Sequence, residues 1–232
     1  MNAQTEKWFQ EHRLTVIVGH SGSGKTELSV NLALWLAHTG QKTALADLDV
    51  VNPYFRSRER ADLLDENGIR LITSSQACMD ADLPSMPVEL NTLLDDKSLT
   101  GILDIGGDAV GARVLARYKP KLQNNTYGVL FVVNANRPLT SSPEKALRYM
   151  RQIEQTIGLP VTGIINNTHM CRETTTEDIL EGKSLAEVLS EQTQVPVIGH
   201  VVSEQITDEF VKMGQKLDSE IPIQVYMKKP WE

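Results

Sequence analysis

The sequence predicts an α/β fold, a three-layer α/β/α sandwich whose mostly parallel sheet has about seven strands. Short apolar runs rich in β-branched residues recur along the chain, a pattern typical of parallel strands that helices cover on both faces. Amphipathic helical patterns lie between these runs. The 232 residues, 41% of them hydrophobic and 23% charged, are sufficient for one domain with a large core.

Seven segments have the pattern of buried strands. They are residues 14–18, 43–46, 69–72, 101–105, 128–133, 161–165 and 196–202. Because crossovers between parallel strands are right-handed, the intervening helices are expected on both faces of the sheet.

Three apolar stripes at helical spacing predict helices that pack on this sheet and belong to its core. Their members are Leu28, Leu32, Trp35 and Leu36; Ala146, Met150, Ile153 and Ile157; and Ile206, Phe210, Met213 and Leu217. Ser141, followed by Pro143 and Glu144, predicts the start of the second helix, and Ser203 predicts the start of the third.

Charge and composition argue against several classes of function. The 23 Lys and Arg residues are outnumbered by 30 Asp and Glu residues, and the net charge of -7 would repel a nucleic acid backbone or an anionic membrane surface. Cys78 and Cys171 have neither zinc-site nor disulfide-framework spacing. No apolar run is long enough to span a bilayer. We therefore expect a cytoplasmic protein with one domain over residues 1–232, short polar tails, no nucleic acid partner and no membrane segment.

The segment after the first predicted strand has the spacing of a phosphate-binding loop, or P-loop. Residues 19–26 satisfy G-x-x-x-x-G-K-[ST], and the motif stands where it is required, between a strand and a helix. Its glycines let backbone N–H groups surround phosphate oxygens, its lysine contacts the β- and γ-phosphates, and its threonine hydroxyl binds Mg²⁺. The predicted phosphate-binding residues are Gly19, His20, Ser21, Gly22, Ser23, Gly24, Lys25 and Thr26.

A carboxylate at the end of a second buried strand is expected to complete the Mg²⁺ site. Asp104, in the segment GILDIGG, has this position. Gly107 completes a D-x-x-G spacing, in which a backbone N–H approaches a γ-phosphate only when that phosphate is present. The pattern predicts a nucleotide switch; the alternative is that Gly106 and Gly107 form a plain turn.

Two further carboxylates end the second predicted strand. Asp47 and Asp49 are two residues apart, and alternate positions of a strand face the same way. Both would face the phosphates, one near Mg²⁺ and the other orienting a water for attack on the γ-phosphorus. The sequence does not decide between the two roles, but Asp49 lies further into the loop and is therefore favoured for the water; a surface pair that caps the following turn is the alternative.

The order of P-loop, D-x-D and D-x-x-G resembles that of the MinD/ParA/CobQ-type P-loop ATPases of the SIMIBI class, over nearly the whole chain. The segment DLDVVNPYFRSRE is similar to that of ATP-binding members of this group. The resemblance implies that ATP and Mg²⁺ are bound and that Lys25, Thr26, Asp47, Asp49 and Asp104 carry the phosphate and magnesium chemistry.

One position departs from this family. Members that dimerise around ATP carry a second, signature lysine directly after the first glycine of the loop, where this chain has His20. An imidazole does not reproduce a permanent ammonium. Either a homodimer with cross-subunit catalysis is absent, or another cation, Arg56, Arg58 or Arg113, replaces the lysine.

The residues after the sixth predicted strand bear on the choice of base. GTP-specific P-loop proteins typically carry [NT]-K-x-D there, whereas this chain has Asn166 and Asn167 with no Lys-x-Asp after them. An Asn amide can pair with adenine, so ATP is favoured over GTP; the alternative is that both residues only cap the loop. Asn134, Asn136 and Arg137 end the preceding strand, where they line the base or substrate side or form a plain turn.

Three functions compete on this evidence. The favoured hypothesis is an ATPase that acts as a nucleotide switch on a protein client. The second is transfer of the γ-phosphoryl group to a small-molecule acceptor, as in dethiobiotin-synthetase-like relatives, whose loop also lacks the signature lysine. A module that binds ATP without turnover is disfavoured because Asp47, Asp49 and Asp104 are all present.

Overall fold

The computed structural model describes residues 1, 3–49, 57–73, 88–107, 113 and 115–227 of the chain. Cys78, Arg56 and the side chain of Arg58 lie outside the described residues. The strands are β1 (Leu14–Gly19), β2 (Thr43–Asp47), β3 (Arg70–Thr73), β4 (Thr100–Asp104), β5 (Tyr127–Val133), β6 (Gly163–Asn166), β7 (Val197–Ser203) and β8 (Glu220–Ile223). The helices are α1 (Ala3–Glu11), α2 (Lys25–His38), α3 (Ala61–Glu66), α4 (Val88–Asp95), α5 (Lys119–Gln123), α6 (Pro143–Ile157), α7 (Thr176–Thr193) and α8 (Glu204–Lys212).

In the described part of the chain, the sheet has eight strands in the order β3-β2-β4-β1-β5-β6-β7-β8. Each pair of neighbours is parallel. The predicted α/β class is confirmed, and each of the seven predicted strands is present. The order places the carboxyl ends of β2, β4, β5 and β6 around that of β1, which leads into the P-loop.

The eighth strand was not predicted. It has four residues and contains Pro222, and a proline in a short run argues against a strand. Among the described strands, β8 lies at the edge of the sheet and pairs only with β7, so the missing N–H of Pro222 leaves no gap in an inner ladder.

The N-terminal segment is a helix rather than the polar tail expected from the sequence. In α1, Trp8 and Phe9 are buried, and the Thr5 hydroxyl donates a hydrogen bond of 2.8 Å to the carbonyl oxygen of Ile198. Gly128 of β5 provides the space for the indole of Trp8, since a Cβ there would lie 2.3 Å from the ring. The missing side chain on β5 thus allows α1 to cover one face of the sheet.

The predicted helices are present, with two corrections to their ends. The cap of α6 is Ser142 rather than Ser141, because Pro143 takes the first helical position. The predicted cap Ser203 is confirmed, since its hydroxyl accepts from Ile206 N. The stripe on α8 is shorter than expected: the helix ends at Lys212, and Met213 is 51% exposed.

The C-terminal segment 224–227 docks on the helix that follows the P-loop. Glu27 accepts hydrogen bonds from Tyr226 N at 2.7 Å and from Met227 N at 3.0 Å. Asn31 both donates to the carbonyl oxygen and accepts from the N–H of Gln224. Arg60 Nε donates to the carbonyl oxygen of Tyr226. The segment therefore links the first turns of α2 to the turn 57–60 that precedes α3.

No helix among the described residues is long and apolar enough to cross a membrane.

Candidate nucleotide-binding site

The P-loop joins the end of β1 to the start of α2. Gly24 has φ 78°, in the left-handed region, and as the N-cap of α2 it makes no side-chain hydrogen bond to the first turn. The N–H groups of that turn therefore remain for an anion. Lys25 is 7% exposed, and its Nζ donates to the carbonyl oxygen of His20 at 3.2 Å. Ser23 Oγ is buried without a hydrogen-bond partner in the described residues, as expected where a ligand belongs.

Asp104 is the carboxylate most clearly in need of a cation. It is 1% exposed, and neither carboxylate oxygen accepts a hydrogen bond of ordinary geometry from the described part of the chain. Burial, followed by the charge of Asp47, raises its pKa to about 7, which Lys25 and the Thr26 hydroxyl oppose only in part. A buried carboxylate in this state fits a divalent cation, which would keep it ionised.

Asp47 lies beside Asp104 in the sheet, since the two are register partners on β2 and β4. Its Oδ1 accepts from Asp49 N at 3.3 Å and its Oδ2 accepts from Ser57 N at 3.1 Å. Each oxygen of Asp47 is thus bonded to one end of the loop between β2 and the turn 57–60. Residues 50–56 lie outside the described part of the chain.

Asp49 is half-buried and lies against the D-x-x-G segment. A Cβ on Gly106 would lie 2.9 Å from Asp49 Oδ1. Gly107 in turn lies on the P-loop, because a Cβ there would be 2.5 Å from Ser21 N and 2.9 Å from Lys25 Nζ. The structure therefore brings the second strand end, the D-x-x-G segment and the P-loop together, as the sequence predicted.

Tyr149 of α6 is a residue of this site that sequence reasoning missed. Its hydroxyl donates a hydrogen bond of 2.6 Å to the carbonyl oxygen of Gly107. Its ring packs edge-on against His20 at 5.4 Å between centroids. Burial, together with the charges of Lys25 and Arg137, lowers the pKa of His20. In the sequence, Tyr149 lies next to the apolar stripe of its helix, and no local pattern predicts its contact with Gly107.

The two asparagines after β6 have different positions. Asn166 is fully buried: its Oδ1 accepts from the N–H and hydroxyl of Thr168, and its Nδ2 donates to the carbonyl oxygen of Ile179. This arrangement favours the alternative in which Asn166 only caps the loop. Asn167 donates from Nδ2 to the carbonyl oxygen of Ser23 at 2.8 Å, so it holds the P-loop from the side of β6.

The residues after β5 also contact the P-loop. Arg137 Nε donates to the carbonyl oxygen of Gly22 at 2.9 Å, and the Asn134 amide lies at 3.5 Å from the same oxygen. Asn136 instead donates to Asp178 Oδ1. Arg113, one of the cations considered in place of the signature lysine, is exposed. Because β5 pairs with β1, its end lies beside the P-loop, and only the strand order reveals this.

The comparisons with known proteins identify the family to which this chain belongs. The family model of the CobQ/CobB/MinD/ParA nucleotide binding domain matches residues 14–211. The chain belongs to this family. The resemblance to SIMIBI-class P-loop proteins is thereby confirmed.

Solved structures show the same fold. Chloroplast FtsY from Physcomitrella patens is 19% identical with a TM-score of 0.58, over 88% of this chain and 68% of that one. FtsY from Mycoplasma mycoides is 16% identical with a TM-score of 0.52, over 83% and 62%. The signal recognition particle 54 kDa protein from Aeropyrum pernix K1, solved in complex with GDP, is 19% identical with a TM-score of 0.55, over 84% and 46%.

The chain spans 46 to 68% of the length of these three proteins, and the likeness is one of fold. No match was found among curated protein sequences.

The residues predicted to hold Mg²⁺ are Thr26, Asp47 and Asp104. Within the described ranges, no three His, Cys, Asp or Glu side chains form a cluster that would hold a metal alone. Mg²⁺ in nucleotide sites is usually held by one or two carboxylates together with water and the phosphates of the substrate.

Proposed function

We propose that this domain is a Mg²⁺-dependent ATPase that acts as a nucleotide switch on a partner protein. The observation that carries the proposal is Asp104, a buried carboxylate without an ordinary hydrogen bond, located beside Asp47 and close to Lys25 and Thr26. A buried, ionised carboxylate without hydrogen bonds lowers the stability of the fold unless a cation neutralises its charge. A Mg²⁺–triphosphate supplies both that cation and an anion for Lys25 and the start of α2.

Different residues of the site bind the phosphates and the metal. The P-loop N–H groups and Lys25 hold the β- and γ-phosphates, and the Thr26 hydroxyl with Asp104 holds the metal. Bound Mg²⁺ would neutralise charge on the phosphates and on the leaving group. Asn167 keeps the loop in its shape through Ser23.

Hydrolysis requires a water placed in line with the γ-phosphorus. Its oxygen forms the new bond to phosphorus as the bond to the β–γ bridging oxygen breaks, which releases ADP and inorganic phosphate. Both oxygens of Asp47 hold loop backbone, which supports Asp49 as the group that orients the water and accepts its proton. Asp49→Ala should therefore preserve binding and stop turnover.

The choice of ATP over GTP rests on the loop after β6. Met170 is three residues after Asn167, where the [NT]-K-x-D pattern has the aspartate that accepts two guanine N–H bonds. Its side chain is 47% exposed and its thioether is only a weak acceptor. The GDP in the Aeropyrum pernix structure is the ligand of that protein, which shares 19% of residues with this one.

The switch is supported by how the loops meet. Gly107 lies on the P-loop, and its carbonyl oxygen accepts from Tyr149. Asp47 bonds both ends of the loop that contains Asp49. A γ-phosphate and its metal would alter both contacts, and a partner would bind one arrangement in preference to the other.

The first experiment is phosphate release from Mg-ATP and Mg-GTP by the purified protein, beside Lys25→Ala and Asp49→Ala. We expect release from ATP at less than about one turnover per second, as in other slow nucleotide switches. Both variants should lose phosphate release, but only Lys25→Ala should lose ATP binding in calorimetry. Faster release from GTP would contradict the base assignment. Binding without release would indicate a transferase that requires its acceptor.

A further inference from the structure

The positively charged side chain of Arg137 packs against the P-loop from the side of β5. The Nε of Arg137 donates to the carbonyl oxygen of Gly22 at 2.9 Å. The guanidinium also packs on the loop backbone, since a Cβ on Gly22 would lie 3.0 Å from its central carbon. A permanently charged side chain therefore contacts the middle of the phosphate-binding loop.

The turn that presents Arg137 is braced on both sides of it. The carbonyl oxygen of Asn134 accepts from Arg137 N at 3.1 Å and from the Thr140 hydroxyl at 2.7 Å, and Thr140 N donates to the carbonyl oxygen of Arg137 at 2.9 Å. The Asn134 side chain is fully buried and accepts from Asn136 N. Such a turn fixes the position of the side chain before any ligand binds, which lowers the reorganisation needed during a reaction.

Most of the hydrogen-bonding capacity of Arg137 is unused. A guanidinium has five N–H donors, and in the described part of the chain only Nε has an acceptor. No described carboxylate forms an ion pair with it. Its charge nevertheless acts on both sides of the loop: after burial, it contributes to lowering the pKa of His20 and the pKa of His169, the latter to about 4.

We propose that Arg137 contacts the γ-phosphoryl group of the bound triphosphate and stabilises the charge that develops on it during phosphoryl transfer. This inference rests on the proposed ATPase. The Nε bond to Gly22 sets the orientation of the guanidinium, and the two Nη groups are the donors that remain for phosphate oxygens. A planar fork of donors suits this task better than a point charge.

A bracing role alone would have different consequences. If Arg137 only supported the P-loop through Gly22, its loss would weaken all nucleotides alike. If it contacts the transferring group, its loss should leave ADP affinity nearly unchanged and reduce the steps in which that group is present.

The test compares Arg137→Ala and Arg137→Lys with the wild type and with Arg151→Ala. Arg151 is a control on α6, where its side chain is 53% exposed and pairs with Glu154. We would measure phosphate release, together with the calorimetric affinity for Mg-ADP with and without aluminium fluoride as an analogue of the transferring phosphoryl group.

For Arg137→Ala we expect the rate of phosphate release to fall by about 100-fold or more. Aluminium fluoride should no longer increase the affinity of this variant for Mg-ADP. Its affinity for Mg-ADP alone should stay within about threefold of that of the parent. Arg137→Lys should recover part of the rate. An unchanged rate, or an equal loss for ADP and the fluoride complex, would overturn the proposal for Arg137 and leave the ATPase standing. A wild type that binds no Mg-ATP would overturn both.

Discussion

At the scale of single residues, Asp104 illustrates how a buried carboxylate without an ordinary hydrogen bond lowers the stability of the fold at neutral pH. The carboxylate is buried, and the adjacent Asp47 adds repulsion. Because its folded pKa of about 7 lies above the ordinary value of 3.8, the fold binds this proton more tightly than the unfolded chain does. Stability from this group is therefore present at low pH and is lost as pH rises from about 4 to about 7.

This pH dependence of stability gives a prediction for the nucleotide-free protein. Asp104→Asn should raise the stability at pH 7 by ~1 kcal/mol or more, or about 2–4 °C in melting temperature, because the neutral amide removes the buried charge. The gain should shrink toward pH 4, and differential scanning calorimetry at both pH values would measure it. The exposed Asp65→Asn serves as control. A variant less stable at pH 7 than the parent would show that Asp104 is already well compensated.

At the scale of elements, α1 shows how one glycine in a strand makes room for a helix to pack on the sheet. Trp8 of α1 is 8% exposed, lies over Gly128 and stacks on His12 at 4.2 Å between ring centroids. The indole accounts for a large part of the apolar surface that α1 buries. The stability of α1 therefore comes from its contact with the sheet rather than from its own helical propensity.

Trp8→Ala should destabilise the protein by about 3–5 kcal/mol, the usual range for removing a buried Trp side chain. Urea denaturation would give the difference, with the exposed Gln10→Ala on the same helix as control. A loss below about 1 kcal/mol would mean that the helix is only loosely attached.

At the scale of the whole molecule, the site lies where strands from both halves of the sheet end. The P-loop follows β1, Asp47 and Asp104 are the last residues of β2 and β4, and Asn167 and Arg137 follow β6 and β5. Ligand binding should therefore stabilise the domain as a unit.

Mg-ATP at 100 times its dissociation constant should add about 2.7 kcal/mol to the free energy of unfolding, or about 5–10 °C in melting temperature. A thermal shift measured with Mg-ATP, and again with ATP and EDTA, would test this. Lys25→Ala should show no shift. An equal shift with EDTA would argue that the metal adds nothing to binding.

Local patterns were sufficient for most of the fold. The strands of the inner sheet are continuous apolar runs, because they are covered on both faces, and this signal survives in the sequence without knowledge of neighbours. β8 and α1 lack such a signal: β8 contains Pro222, and α1 is largely polar apart from residues such as Trp8 and Phe9. Each forms because of a surface that distant residues supply.

By itself, the sequence determined the α/β class, the P-loop and its carboxylates, because each depends on residues close together in the chain and on the direction of one strand. Only the tertiary structure decided the neighbours of these residues. Strand order brings Arg137 to Gly22 and Tyr149 to Gly107, across 115 and 42 positions of the chain. Burial left Asp104 without an ordinary hydrogen bond. Such contacts depend on how the sheet is assembled, and no local pattern specifies them.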